Sequence, residues 1–327
     1  TQPGDGFAPS LTGLPRRNRH NYFYTGVTNF ILIAVCMLAG MLLRRFGTLP
    51  ADAHKGVNAW LIYLAMPAIS FKHLPYVVWS PELLVPILVP LLVFAAGWAY
   101  VKLYAKINFI APATTGGLIL MAGLGNTGFV GLPLVSAYFG ELNMGTAVIC
   151  DQVTVLLVST LGAAIAIKAS GAKTVELSDI LKKVLRFPPL IGCLLALTVP
   201  RWVDISPAAP LFQAVAATTA PLALFSIGLQ LRLEGWTQQA GVVGSVLAYK
   251  LVLAPAIVLA ALMFFQVKGA TAEISLFQMC MPSLLSAAVV ASEYNLNPPL
   301  MNRIAGMGIV AGLGTSYLWF LATKLLA

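Results

Sequence analysis

The stretch GNTGFVGLP at residues 125–133 interrupts an apolar segment that extends roughly from Ala113 to Tyr138. Glycine weakens a helix, and proline removes a backbone donor and clashes with the preceding turn, so a membrane-spanning helix is expected to break here. Backbone groups that are left unpaired in the hydrocarbon layer are costly unless they line a cavity or bind a ligand. A broken helix at this depth is typical of secondary transporters.

Composition indicates a polytopic membrane protein. The chain is 59% hydrophobic and 9% charged, whereas soluble domains carry roughly 25% charged residues. Lys and Arg total 20 against 11 Asp and Glu. Because most of these bases lie in short loops, we interpret the excess as a topology signal and expect no nucleic-acid partner. The cysteines and histidines have neither metal-ligand spacing nor a disulfide pattern, so we expect no metal and no cofactor.

Apolar segments near the length of about 20 residues that a span requires predict about ten transmembrane helices. The fold class is therefore all-α and polytopic. The expected spans lie approximately at 26–43, 56–74, 82–104, 113–139, 143–167, 187–203, 208–231, 240–265, 271–294 and 300–325.

The distribution of basic residues predicts the orientation of the chain in a cell membrane. The side that collects most of them is expected to be cytoplasmic, which places both termini outside. Its bases are Arg44, Arg45, Lys55, Lys102, Lys106, Lys168, Lys173, Lys182, Lys183, Arg186, Arg232 and Arg303.

Residues 1–24 form a polar segment that we expect to be a flexible leader. Residues 169–186 form the longest internal connection, which we expect to carry a short amphipathic helix from Glu176 to Leu185 at the cytoplasmic interface.

Short internal similarities predict an inverted repeat. VPLLVFAA at 89–96 in the third span resembles APAIVLAA at 254–261 in the eighth. AMPA at 65–68 resembles TAPL at 219–222, again five spans later. An odd number of spans per repeat makes the halves inverted, so we expect one repeat at 25–168 and the other at 187–327.

The ninth span carries its own expected break, MPS at 281–283. SAY occurs at 136–138 at the end of the fourth span, and SEY occurs at 292–294 at the end of the ninth. Broken helices in these corresponding spans are expected to cross near the middle of the membrane.

The motif NTGFVGLP at 126–133, with LAMPA at 64–68 and Pro282 followed by ASEY at 291–294, resembles the auxin efflux carrier family. That family includes plant PIN proteins and bacterial organic-acid permeases. The resemblance implies a five-plus-five inverted repeat, a crossover of helices four and nine, and a homodimer. It also implies an elevator-like movement of spans 3–5 and 8–10 against a scaffold of spans 1, 2, 6 and 7.

The same resemblance implies a substrate class. The bacterial branch of the family is associated with small carboxylates such as malonate and malate. The long loop of the plant auxin carriers is missing here, which favours that branch.

The first break is the main candidate for substrate binding. Asn126, Thr127 and Gly128 lie where a half-helix presents free N–H groups and a partial positive charge, which suit a carboxylate. The resemblance places a substrate contact at Asn126; the alternative is that Asn126 only satisfies backbone groups freed by the break. Ser283 and Ser286 follow the second break and are further candidates, although serine in a helix often bonds its own preceding carbonyl.

Gly131, Pro133 and Pro282 are interpreted as the residues that break the crossing helices. The alternative is a simple kink packed by neighbouring helices, which proline often produces in membranes.

Asp151 lies about eight residues into the fifth span, at a rise of roughly 1.5 Å per residue, and Lys250 lies about ten residues into the eighth. Charges at such depth are costly and usually functional. We expect the two side chains to pair or to share a polar network, in which Asp151 loads and releases a coupling proton. The alternative is a static ion pair.

These features and the resemblance together favour a proton-linked secondary transporter of small organic anions in the lipid bilayer, with carboxylates such as malonate, malate or auxin-like acids as substrates. A sodium-coupled organic-anion symporter of the bile-acid type is one alternative, and a substrate-binding sensor without flux is another. No constellation of catalytic side chains is present in the sequence, so an enzyme is not expected.

Overall fold

The computed structural model describes residues 16–50, 52–77, 80–141, 143–171, 185–231 and 238–326. Within these ranges the secondary structure is helical, apart from one isolated antiparallel bridge between Gly125 and Ser283. The α-helices are α1 (Arg16–Arg45), α2 (Ala53–Trp60), α3 (Met66–His73), α4 (Leu84–Ile107), α5 (Pro112–Gly123), α6 (Leu132–Phe139), α7 (Met144–Leu157), α8 (Ala163–Ser170), α9 (Pro188–Thr198), α10 (Ala209–Ala217), α11 (Thr219–Gln230), α12 (Ala240–Ala248), α13 (Ala254–Phe264), α14 (Ala270–Met279), α15 (Leu285–Glu293) and α16 (Pro298–Thr323). The π-helical turns are π1 (Leu61–Ala65), π2 (Thr127–Gly131), π3 (Val158–Gly162) and π4 (Tyr249–Leu253). Short 3₁₀ turns cover Leu74–Tyr76, Pro81–Leu83, Val199–Arg201, Ser206–Ala208 and Lys324–Leu326.

Three of these π-helical turns are associated with prolines. The turns π1, π2 and π4 each end two residues before a proline, namely Pro67, Pro133 and Pro255. Proline cannot donate a backbone hydrogen bond, and its ring clashes with the carbonyl four residues earlier. A wider turn relieves that clash, so the helix continues through the proline instead of ending there.

The helices include segments that can cross a membrane. Within the described ranges, five are long and apolar enough to do so: Pro81–Ile107, Met144–Ser170, Ser206–Gln230, Ala240–Phe264 and Pro298–Leu326. The all-α polytopic membrane fold is thus confirmed. The count of ten spans stays a prediction, because the fourth and ninth expected spans are each divided into two short helices.

Two segments were expected outside the repeats, namely the leader at 1–24 and the connection at 169–186. Helix α1 begins at Arg16, so residues 16–24 of the expected leader are helical and continuous with the first span. Residues 1–15 lie outside the described residues, and so does nearly all of the amphipathic helix expected at 176–185.

The helices pack in two groups. In the first group α1 packs on α11, α3 packs on α9 and α10, and α2 packs on α11. In the second group α4 packs on α5, α7, α13 and α14, while α16 packs on α14 and α15. The groups meet where α1 contacts α6, where α11 contacts π2, and where α7 contacts α3 and α9. The broken helices α5–α6 and α14–α15 both belong to the second group, with π2 and α6 at the boundary with the first.

Candidate functional site

The two broken helices cross through their unwound residues. The backbone becomes extended at Leu124 after α5 and at Leu284 before α15. The Asn126 N–H donates to the Pro282 carbonyl at 2.7 Å, and the Leu284 N–H donates to the Leu124 carbonyl at 3.0 Å. Each unwound segment therefore forms hydrogen bonds with backbone groups of the other segment that have lost their helical partners. These bonds offset the cost of unwinding a helix in the membrane.

The first break lies earlier than the sequence indicated. Gly131 closes the turn π2 and Pro133 is the second residue of α6, and both continue a helix that has already resumed at Thr127. The chain leaves helical geometry at Leu124 instead. The physical reason is the wide turn π2, which accommodates Pro133 without a break.

The second break coincides with its expected residues. Pro282 lies in the unwound segment and packs against α16, where a Cβ on Gly312 would be 3.0 Å from the Pro282 Cδ. The Ser283 hydroxyl donates to the Met121 carbonyl of α5 at 2.7 Å, so this serine joins the two broken helices. Ser286, in contrast, is exposed in the first turn of α15 and is not among the residues that form the hydrogen bonds of the crossover.

Three glycines of the first broken helix, Gly125, Gly128 and Gly131, stand at three-residue intervals and form what we call the glycine row. Each is approached by the polar end of a buried side chain from a different helical element. A side chain at any of these positions would crowd that polar group, so the absence of a Cβ creates the site.

Lys250 approaches the first glycine of the row. It lies in π4 and is completely buried, and a Cβ on Gly125 would lie 3.1 Å from its ammonium nitrogen. Its Nζ has no hydrogen-bond partner among the described residues. A desolvated cation without a partner is costly, which is typical of a site that meets an anion.

Asp151 approaches the second glycine. It is 3% exposed on α7, and a Cβ on Gly128 would lie 2.8 Å from its Oδ1. The Thr127 hydroxyl donates to the same Oδ1 at 2.8 Å, whereas Oδ2 has no hydrogen-bond partner in the part of the chain that the structure describes. Thr127 therefore fixes the carboxylate and leaves one oxygen available.

Asp151 and Lys250 do not form the direct ion pair that was one of the expectations. The carboxylate is held by Thr127 and lies at Gly128, whereas the ammonium lies at Gly125. The two charges occupy successive positions of the glycine row, so either can meet a ligand without first breaking a bond to the other.

Gln278 approaches the third glycine, and the sequence interpretation missed it. It is completely buried on α14, its Nε2 donates to the Ala147 carbonyl at 3.2 Å, and its Oε1 abuts the position that a Cβ on Gly131 would fill. That Oε1 has no donor within the described ranges. An amide three residues before the second break was the available signal, but a neutral residue in an apolar span attracts less notice than a charge.

Asn126 has two roles at its two side-chain atoms. It is 1% exposed, and its Oδ1 accepts from the Phe129 N–H at 3.3 Å, which caps π2. Its Nδ2 has no acceptor among the residues described. The capping interpretation thus accounts for the oxygen, and the nitrogen is left as a neutral donor at the crossover.

The site combines donors and acceptors that have no hydrogen-bond partner among the residues that the structure describes. The donors are the Asn126 amide and the Lys250 ammonium, and the acceptors are the Asp151 Oδ2 and the Gln278 Oε1. Donors of this kind suit a carboxylate, while the acceptors suit a proton or a small cation. Such an arrangement can hold an anion and a cation at neighbouring positions.

The chain has relatives among transporters. It is 27% identical to an uncharacterised transporter of Methanocaldococcus jannaschii, over 83% of this chain and 90% of that protein. A second uncharacterised transporter, from Methanothermobacter thermautotrophicus, is 25% identical over 90% of this chain and 98% of its own length. A proposed malonate transporter of Rhizobium meliloti is 26% identical over 68% of this chain and 72% of that protein.

A family model covers most of the chain as well. The model described as membrane transport protein matches residues 25–320, a range that contains both broken helices and every member of the glycine row. The resemblance drawn from the motif at 126–133 is confirmed by this match. The chain belongs to the membrane transport protein family, the family of the auxin efflux carriers.

Proposed function

We propose that this membrane transporter is a secondary active carrier of small organic anions, with carboxylates such as malonate or malate as substrates and a proton as the coupling ion. The proposal is carried by two buried donors beside the crossing of the broken helices, the Asn126 amide and the Lys250 ammonium, which have no partner within the described part of the chain. The relationship to a proposed malonate transporter supports this substrate class.

The substrate carboxylate would lie against Lys250 and accept from Asn126. The buried ammonium stabilises the carboxylate by direct charge attraction, which is strong where water is excluded. The Asn126 amide adds a directional hydrogen bond without adding charge. Thr127 and Gly128 act indirectly in this arrangement, because the hydroxyl holds Asp151 and the glycine leaves room for its carboxylate.

Asp151 would carry the coupling proton. The inside-negative membrane potential opposes anion entry by about 2.3 kcal/mol per charge and 100 mV, so uptake requires a cation that enters with the substrate. A buried carboxylate with one unpartnered oxygen can take up that proton and release it when the site changes sides. Anion and proton then cross together with a reduced net charge.

Alternating access would follow from movement of the second group of helices against the first, as in an elevator. The crossover belongs entirely to the second group, so it can move as a unit with its ligands. The two groups meet chiefly through α6, α7 and π2, and these contacts would be exchanged during the movement. A homodimer with both termini outside the cytoplasm is the expected assembly in the membrane.

Sodium coupling is a second candidate that one observation favours. The Asp151 Oδ2 and Gln278 Oε1 are both buried oxygens without a donor among the described residues. Carboxylate and amide oxygens are suitable ligands for a hard cation. A sodium-coupled organic-anion symporter would use these two oxygens where the proton-linked carrier uses Asp151 alone.

Uptake of labelled malonate and malate into proteoliposomes tests the proposal, with an imposed proton or sodium gradient. We expect saturable uptake that a proton gradient drives and that Asn126→Ala reduces at least tenfold, because the variant loses a buried donor hydrogen bond to a charged group, worth about 1.5–3 kcal/mol. Asn108→Ala is the matched control, since Asn108 is exposed at the end of α4 and its side-chain amide donates to the Tyr104 carbonyl one turn earlier.

The other outcomes separate the alternatives. Uptake that ignores protons and follows sodium would establish the sodium symporter instead. Saturable malonate binding without flux would indicate a sensor, and equal uptake by wild type and Asn126→Ala would refute the crossover as the substrate site.

A further inference from the structure

A charged cluster joins the two groups of helices at the end of α3. The Lys72 ammonium donates to the Glu141 Oε2 at 2.6 Å, and the Ser136 hydroxyl donates to the Glu141 Oε1 at 2.7 Å. The His73 Nε2 lies 3.6 Å from the same Oε2. Lys72 and His73 belong to the first group of helices, whereas Ser136 and Glu141 belong to α6 and to the turn that follows it. The cluster therefore bridges the boundary across which movement is proposed.

Glu141 is an ionised carboxylate in this cluster. Burial raises its pKa, but the hydrogen bonds from Lys72 and Ser136 outweigh burial and hold the pKa below its ordinary value. A cation, a hydroxyl and a neighbouring imidazole thus surround a carboxylate that belongs to the chain itself. The same groups would suit the carboxylate of a small organic acid.

A cavity of about 260 Å³ opens beside this cluster, between the two groups of helices. All four residues of the cluster line it, together with Pro133, the second residue of α6. The remaining walls are largely apolar and include residues of α1 and of the α10–α11 junction. Pockets for drug-sized ligands measure roughly 300–1,000 Å³, so this cavity has a size suited to a small acid.

The position of the cavity relates it to the crossover. Pro133 follows the turn π2, which begins directly after Asn126. A ligand in the cavity would therefore lie along the same broken helix as the candidate substrate site, on the side towards the end of α6. Lys72 lies on the side of the membrane opposite to most basic residues, which is the side that the sequence predicts to be extracytoplasmic.

We infer that Lys72, His73 and Ser136 form an entrance site that binds a substrate carboxylate in exchange for Glu141. This inference rests on the proposed function and adds a second anion site to it. Exposed ion pairs contribute little stabilisation, and the Glu141 side chain is 56% exposed, so an arriving carboxylate can displace it. Displacement also removes the ion pair between Lys72 and Glu141, so the arrival of substrate at this site removes one of the contacts that join the two groups of helices.

Malonate binding to the purified protein in lipid nanodiscs, measured by calorimetry, tests the inference. A background that carries both Asn126→Ala and Lys250→Met removes the two buried donors of the crossover site, so that the remaining binding reports the entrance site. In that background we expect Glu141→Gln to tighten malonate binding about threefold to tenfold, because the competing carboxylate is gone. Lys72→Gln should abolish the binding, and Lys72→Arg should retain most of it because the cation is kept.

Glu82→Gln and Lys268→Gln are the matched controls, since both residues are exposed charges and neither lines the cavity. They should leave malonate binding unchanged. Weaker or unaltered binding in Glu141→Gln would overturn the inference and leave Lys72 and Glu141 as an ordinary ion pair between helices. Failure of the proposed function would give a different result. Uptake by Asn126→Ala would then equal uptake by wild type, whatever malonate affinity the Glu141 variants show.

Discussion

Replacement of Lys250 by methionine separates a functional role of this buried cation from a structural one. The ammonium is completely buried at Gly125 and has no hydrogen-bond partner within the described residues. A buried charge without a partner destabilises a protein by several kcal/mol, so Lys250→Met should raise the unfolding free energy of the ligand-free protein by about 1–4 kcal/mol. A structural lysine would give the opposite sign.

The same change should weaken substrate binding. An ammonium and a carboxylate about 4 Å apart attract each other by about 4 kcal/mol at an effective dielectric constant of about 20. That energy corresponds to about 1,000-fold in affinity, and desolvation of the carboxylate opposes it. We therefore expect malonate affinity to fall by between about tenfold and about 1,000-fold in Lys250→Met.

Two measurements on the same samples check this prediction. Thermal unfolding of the purified protein without ligand reports stability, and calorimetric titration with malonate reports binding. Lys102→Met is the matched control, because Lys102 is exposed on α4 and should affect neither quantity. A destabilised Lys250→Met protein, or one that binds malonate as wild type does, would refute the reasoning.

Three further predictions concern the glycine row and the charged cluster around Glu141. Gly131→Ala should destabilise the protein by about 1–3 kcal/mol in thermal unfolding, because the new methyl group displaces the Gln278 amide. The control Gly314→Ala has open space around it in α16 and should be neutral or stabilising by up to about 1 kcal/mol. Asp151→Asn should retain malonate exchange in proteoliposomes but lose the response to an imposed proton gradient. The control Asp52→Asn, at an exposed residue, should keep that response. An unchanged response in Asp151→Asn would show that the Asp151 carboxylate does not couple transport to protons. Glu141 has a pKa lowered by folding, so its stabilisation is present above the unfolded value of about 4.3 and is lost as pH falls through the lower folded value. The difference in melting temperature between wild type and Glu141→Gln should therefore be present at about pH 7 and shrink as the pH falls below about 4.3, and a difference that does not shrink in acid would contradict the assigned ion pair.

The sequence predicted the existence of the crossover better than its geometry. Gly, Asn and Pro within residues 125–133 disfavour a regular helix, and this local property is readable without a structure. Whether Pro133 breaks the helix depends on whether a wider turn can form ahead of it, and packing of the surrounding helices decides that. The break consequently lies at Leu124 and not at Pro133.

The sequence indicated which charged residues belong to the candidate site, but it did not indicate how they are arranged. Asp151 and Lys250 were recognisable because an ionised group deep in a span is rare. Their separation at Gly128 and Gly125 follows from how α7 and π4 pack on the broken helix, which no spacing along the chain specifies. Gln278 escaped notice for a related reason, because only tertiary packing shows that its amide oxygen lacks a donor among the described residues.

The order of groups along the glycine row would provide a physical basis for the proposed coupling of anion and proton. Lys250 lies at the first glycine, Asp151 at the second and Gln278 at the third, so a bound anion and a bound proton would occupy neighbouring positions. An anion that neutralises Lys250 places negative charge near Asp151, and like charges repel. In the proposed carrier the substrate would thereby favour protonation of Asp151, and by reciprocity the proton would favour binding of the substrate. A carrier built in this way would move the two together and would rarely move the anion alone, which is the property that concentrative uptake against an inside-negative potential requires.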